Sequence, residues 1–193
     1  MNEFIVPQQS PNFIAGWYIS EDVCDGLISF FEESDKKKEG AIGQGVDKDF
    51  KVSTDVTVIP RNPDIRIQNY LKELGDVCKE YTLKYPWSTT NQDVWGLNTN
   101  FNIQKYNPSE AFFGWHTEKS TMSDLVGTRH LVFMTYLNTV TDGGETEWFH
   151  QQIKIQPRKG LTVMWPVDSV SYTHLRAHET VLDVVCRLLL EKK

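Results

Sequence analysis

The sequence predicts an α+β domain in which two helices cover a curled sheet or barrel. Apolar residues recur at helical spacing in two segments of the N-terminal half. From Asn98 onward the chain breaks into short runs of β-branched and aromatic residues, separated by Asn, Asp, Gly and Pro. A chain of 193 residues, 39% hydrophobic and 24% charged, suits one domain with a sizeable core, and it shows no repeat, linker or second domain.

The first helix is predicted over Ser20 to Ser34. Ser20 is a good N-cap, acids follow it, and Val23, Leu27, Phe30 and Phe31 fall on one face. Lys36 to Asp49, rich in glycine and charge, reads as an exposed loop, and Phe50 to Ile59 (FKVSTDVTVI) as a strand. After Pro60 and Pro63, Ile67, Leu71, Leu74, Cys78 and Tyr81 recur three or four apart, which predicts a longer helix ending before Pro86. The β-rich runs are NTNFNIQKY, FFGWHTE, RHLVFMTYLN, ETEWFHQQIKIQP and GLTVMWP. Turn formers separate them at Asn107-Pro108, at Asp142-Gly143-Gly144 and from Pro157 to Gly160. The paired glycines supply the positive φ values that a hairpin turn needs.

A formal charge of -6, with no basic block longer than Lys36-Lys37-Lys38, argues against a nucleic-acid or anionic-membrane binder. Three cysteines, Cys24, Cys78 and Cys186, give neither an even disulfide set nor a metal spacing, and are read as buried thiols in a reducing compartment. The N-terminus has no secretory signal pattern, and no apolar run is long enough for a membrane helix, so a cytoplasmic protein is expected.

The candidate chemistry starts at His116-Thr117-Glu118. In a strand, residues i and i+2 face the same side, so an imidazole and a carboxylate would converge. Alone the pair says little, because 5 histidines and 26 acids in 193 residues make one such coincidence ordinary. Its surroundings say more: NIQKYNPSEAFFGWHTE is followed, in order, by RHLVFMTYLNTVTDGGETEWFHQQIKIQPRKGLTVMWP.

Over roughly Thr99 to Asp168 this text resembles the Fe(II)- and 2-oxoglutarate-dependent oxygenases of the prolyl 4-hydroxylase type, especially the short bacterial and viral forms. The resemblance implies a double-stranded β-helix, a jelly-roll or cupin-like barrel. It also implies Fe(II) held by two histidines and one carboxylate, with positions left for 2-oxoglutarate and O2. His116 and Glu118 match the first two metal ligands, Glu118 standing where most members carry Asp. Tyr106 and Thr146 match residues that contact or approach 2-oxoglutarate, although each could instead fill the barrel. Ascorbate is a further reductant that the family allows. Phe112, Phe113, Trp115, Trp148 and Trp165 are read as core or pocket wall, and His130 and His150 as structural or exposed.

The family pattern stops at Asp168. Val170 to Thr180, VSYTHLRAHET, reads as the translation of a transposase-type sequencing adapter, and Cys186 to Lys193, CRLLLEKK, as its far end running into adenines. The expected organisation is therefore an oxygenase domain over 1–169, truncated at its C-terminus, and an adapter-derived tail over 170–193. His174 falls close to the expected position of the distal iron ligand, but on this reading by coincidence. The competing reading makes HETVLDVVCRLLLEKK an amphipathic helix.

The expected activity is hydroxylation of an unactivated C–H bond, first of all in peptidyl proline, coupled to conversion of 2-oxoglutarate to succinate, in a chain impaired by its altered end. The rivals are the same chemistry on a free amino acid or small metabolite, and a non-enzymatic cupin-like binding module.

Overall fold

The structure, a computed structural model, describes residues 1–5, 12–43, 45–89, 95–97, 99–118, 129–169, 171–173 and 183–192. Strand β1 (Glu3–Phe4) and strand β2 (Ala15–Tyr18) lead into helix α1 (Glu21–Glu33). Ser20 caps α1 as predicted, its Oγ accepting the Val23 amide at 3.4 Å, and Cys24, Leu27 and Phe31 form the buried face. Strand β3 (Lys38–Glu39) and strand β4 (Thr54–Val58) precede helix α2 (Ile65–Lys84). Asp64 caps α2 by accepting the Arg66 amide, and Ile67, Tyr70, Leu74, Val77 and Tyr81 are buried. A single 3-10 turn, Pro86–Ser88, ends the helical half. Burial pushes the thiols of Cys24 and Cys78 up to about 12, which makes both inert at neutral pH.

The β half comprises β5 (Trp95–Gly96), β6 (Phe101–Tyr106), β7 (Phe112–His116), β8 (Arg129–Tyr136), β9 (Thr146–Trp148), β10 (Ile153–Ile155), β11 (Leu161–Pro166), β12 (Ser171–Thr173) and β13 (Asp183–Lys192). The strands form two antiparallel sheets. The larger runs β1-β2-β11-β8-β13-β6-β4-β3, with β5 also on β13, and the smaller runs β10-β9-β12-β7. Strand alternation then builds three layers. Phe101, Ile103, Leu131, Phe133 and Met164 face the helices, whereas Tyr106, Val132, Met134, Tyr136, Val163 and Trp165 face the smaller sheet. The long strands of the large sheet are apolar on both faces because both are covered.

The structure revises three expectations. Only Thr54–Val58 of the Phe50–Ile59 run is strand in the large sheet; Phe50 to Val52 bond instead to β7, with Val52 N–H donating to Ala111 O at 2.9 Å and Phe113 N–H to Phe50 O at 2.7 Å. Gly143 and Gly144 have positive φ, 84° and 74°, but their turn closes no hairpin, because β8 and β9 lie in different sheets. The same holds for the turns after β6 and after β10: the turn formers mark crossings between sheets. Finally, Asp183–Lys192 is neither helical nor a gap. It is a strand antiparallel to both β6 and β8, with Val185 opposite Gln104 and Tyr136, so the sheet has no open edge between those two strands.

Candidate active site

Strand β7 carries His116 at its end. Three residues of β12 span five of β7, since Ser171 pairs with His116 and Thr173 with Phe112. The resulting bulge folds the strand back enough for the Phe112 ring to stack on His116, with centroids 3.9 Å apart and planes 15° apart. Gly114 lies between them. A Cβ there would sit 2.0 Å from Phe50 Cζ, so the absence of a side chain lets the Phe50 ring cover β7. Gly114→Ala is expected to expel that ring and lower stability by about 1–3 kcal/mol. In a Phe50→Ala background the same substitution should cost almost nothing, and urea denaturation of the four proteins in the cycle measures the difference.

The imidazole orientation is fixed from behind. His116 Nδ1 bonds the Gly114 carbonyl at 2.8 Å, which assigns the Nδ1 proton and points Nε2 forward. Nε2 then lies 3.1 Å from Glu118 Oε1, and both side chains are about seven-eighths buried. Two electron-rich atoms at this separation require a proton or a cation between them. The backbone of Glu118 is held on both sides: its N–H donates to Val167 O at 3.2 Å, and its carbonyl accepts from Arg129 Nη1 at 3.0 Å. A backed imidazole nitrogen beside a fixed carboxylate is the donor set of a borderline divalent metal, so these residues suit two corners of an Fe(II) site. Among the described residues, no group of three or more His, Cys, Asp and Glu side chains comes together. His174 lies outside the described residues.

The pair opens into a cavity of about 370 Å³ that Lys51, Gln104, Phe112 and Arg129 also line. Behind its wall is a polar network that sequence reading missed. Lys51 Nζ lies 2.8 Å from Asp55 Oδ2 with both side chains 2% exposed, and Asp55 also accepts from Ser53 Oγ at 2.7 Å and from Gln104 Nε2 at 3.0 Å. Tyr106 donates its hydroxyl to Gln104 Oε1 at 3.3 Å, which joins this predicted residue to the cavity wall through one amide. Thr146 is 2% exposed between the sheets, where its Oγ1 accepts from Tyr136 at 2.7 Å; it is not among the described residues that line the cavity. A signal for the network did exist: Lys51, Ser53 and Asp55 alternate as polar residues along one side of a run rich in β-branched residues.

The aromatic residues divide. Trp148 and Trp165 are fully buried and pack edge to face, and Phe112 is cavity wall. Phe113 and Trp115, also expected in the core or pocket wall, alternate to the outer face of the small sheet and are 39% and 40% exposed. His130 is half-buried and bonded to Ser88 O at 2.8 Å, and His150 is exposed.

The fold and site together define an antiparallel two-sheet protein with a backed histidine and a carboxylate converging in a cleft. Residues 101–190, a little under half of the chain, match the model of the 2OG-Fe(II) oxygenase superfamily. The fold of the chain is similar to that of a Pseudomonas putida prolyl-4-hydroxylase, with TM-score 0.69 and 14% identity over 94% of each chain. It is also similar to the viral collagen prolyl hydroxylase of Paramecium bursaria Chlorella virus-1, in its 2-oxoglutarate complex, with TM-score 0.64 and 15% identity over 93% of this chain and 96% of that one. A Trichoplax adhaerens prolyl hydroxylase, bound to a hypoxia inducible factor oxygen degradation domain peptide, matches with TM-score 0.71 and 11% identity over 93% of this chain and 84% of that one. No curated protein matches the chain in sequence. Among the described residues, no helix is long and apolar enough to cross a membrane.

Proposed function

We propose that the two sheets form a double-stranded β-helix holding an Fe(II) and 2-oxoglutarate site, and that the enzyme hydroxylates a prolyl residue of a peptide. The observation that carries this reading is the convergence of His116 Nε2 and Glu118 Oε1 at 3.1 Å inside a cavity. Bound iron would supply the oxidation of a C–H bond by O2, with 2-oxoglutarate as co-substrate converted to succinate.

The chain's own residues do the rest. His116 and Glu118 would hold the metal, and the Gly114 carbonyl keeps the imidazole in the tautomer that leaves Nε2 free to bind it. Tyr106 and Thr146 are the proposed neighbours of 2-oxoglutarate. The buried ring wall of Trp148, Trp165 and Tyr136 excludes water from the space between the sheets. The peptide assignment is supported by the Trichoplax relative, which is bound to a peptide, and by an open cavity.

The third ligand is proposed to belong to a native segment that residues 170–193 replace. A run such as DVVCRLLLEK, apolar at positions of both parities, suits an interior strand between β6 and β8 whatever its origin. The chain in hand should then release succinate from 2-oxoglutarate only at background level; vigorous peptide-dependent release would show that its site is complete.

Metal-dependent binding of 2-oxoglutarate, followed anaerobically by tryptophan fluorescence, tests the functional reading. Binding that needs Fe(II) and is lost in Glu118→Ala supports it. Binding indifferent to metal would favour a ligand-binding module on the same fold. Comparing a proline-containing peptide with free proline as the third component separates the peptide from the small-molecule substrate.

A further inference from the structure

In a regular strand, side chains four residues apart share a face but stand roughly 13 Å from each other. Phe112 and His116 occupy the two ends of β7, yet their rings stack at 3.9 Å with planes 15° apart. The contact exists because β7 bulges against β12, at the expense of regular pairing. The Phe112 ring is itself held firmly. The backbone on either side of it is bonded across to Phe50 and Val52. The Phe50 ring meets it edge to face at 5.7 Å, and the Lys51 ammonium, fixed 2.8 Å from Asp55, lies 6.0 Å from its centroid. At 9% exposure, Phe112 has little room to move.

The stack and the hydrogen bond restrain different motions of His116. The bond from Nδ1 to the Gly114 carbonyl selects the tautomer, but one hydrogen bond tolerates a range of ring tilt, and the torsion that turns an imidazole about Cβ–Cγ is a soft one. A tilt of this kind moves Nε2 away from Glu118. A ring lying flat against one face resists it. The stack also distinguishes two states of the imidazole. The face of a phenyl ring carries negative charge, and an imidazole that shares its Nε2 lone pair with a divalent cation becomes electron-poor, so Phe112 attracts it more strongly than it attracts the free imidazole. A contact that is stronger with metal than without it raises metal affinity as well as stabilising the fold.

We propose that Phe112 is a positioning residue for the metal, its ring face setting the plane of His116 and favouring the metal-bound imidazole. The inference rests on the reading of His116 as an iron ligand and extends it to the ring behind that ligand. The bulge in β7 then has a purpose, since without it Phe112 would stand too far along the strand to reach His116.

The test is an anaerobic Fe(II) titration of the full chain and its variants, with the visible absorption of Co(II) bound in place of iron as a second readout, because those bands follow the geometry of the ligands. Phe112→Leu, which keeps the apolar bulk but has no flat face, is expected to weaken Fe(II) binding about tenfold and to shift the Co(II) bands. Phe112→Tyr keeps the face and should hold the affinity within about twofold of the wild type. Pentafluorophenylalanine incorporated at position 112 keeps the shape and reverses the charge of the face, and should weaken binding about threefold. Urea midpoints of the metal-free proteins are measured alongside. A ring that serves the fold alone would lower the midpoint in Phe112→Leu and leave the affinity and the Co(II) bands of the folded protein as they were. That result, or an unchanged affinity with the fluorinated ring, overturns the positioning assignment while His116 keeps its role; the fluorinated protein decides the matter if Phe112→Leu does not fold. If His116→Ala binds Fe(II) as tightly as the wild type, the ligand reading fails and takes the assignment of Phe112 with it.

Discussion

His116→Ala is expected to weaken Fe(II) binding at least about 100-fold in an anaerobic titration, since even partners behind a metal-ligating histidine are worth 10–100-fold. The substitution removes the Nε2 donor that faces Glu118 in the cavity. Its Oε1 then loses the atom it faces at 3.1 Å, while the backbone bonds from Val167 and Arg129 still hold the residue in place. The fold should survive, because His116 ends an edge strand of the smaller sheet and packs mainly on Phe112. Glu118→Ala should match it. Glu118→Asp, which shortens the reach but keeps the charge, should retain binding to within about tenfold of the wild type. Unchanged affinity in His116→Ala would show that the metal, if bound, is bound elsewhere.

Asp55→Ala carries the largest expected effect on stability. Lys51 and Asp55 are each 2% exposed, and removing the carboxylate takes from a buried ammonium the counter-charge 2.8 Å away, at a cost of about 3–5 kcal/mol. Ser53 and Gln104 lose their acceptor at the same time, and the Tyr106–Gln104 contact loosens with them. The double substitution Lys51→Met with Asp55→Ala should recover much of the loss, because an apolar chain tolerates burial better than an ammonium that has lost the Asp55 carboxylate. Urea midpoints of the single and double variants measure this. A drop of less than about 1 kcal/mol in Asp55→Ala would mean that water reaches Lys51.

These two predictions draw on parts of the molecule that were unequally visible in the sequence. The helices were legible because capping and periodicity are local: Ser20 and the Leu27–Phe31 face predict α1 without reference to anything else. The convergence of His116 and Glu118 was legible because strand alternation places i and i+2 together. Partnership across the fold was not. Nothing local states that Phe50 to Val52 leave β4 to clasp β7, that a bulge brings Phe112 onto His116, or that Gln104 couples Tyr106 to Asp55. Outward Phe113 and Trp115 were misplaced for a related reason: aromatic content marks a strand, but only register says which of its faces is covered. The glycine pair at 143–144 shows the same limit, since positive φ fixes a turn while the sheet that the next strand joins is decided by packing.

The most direct measurement is an anomalous difference map at the iron edge, from a crystal of the chain equilibrated anaerobically with Fe(II). The predicted result is one strong peak between His116 Nε2 and a Glu118 carboxylate oxygen, at about 2.0–2.3 Å from each, the usual range for a divalent metal on nitrogen and oxygen donors. Iron located elsewhere, with His116 and Glu118 bonded only to each other, would contradict the assignment of these residues as metal ligands.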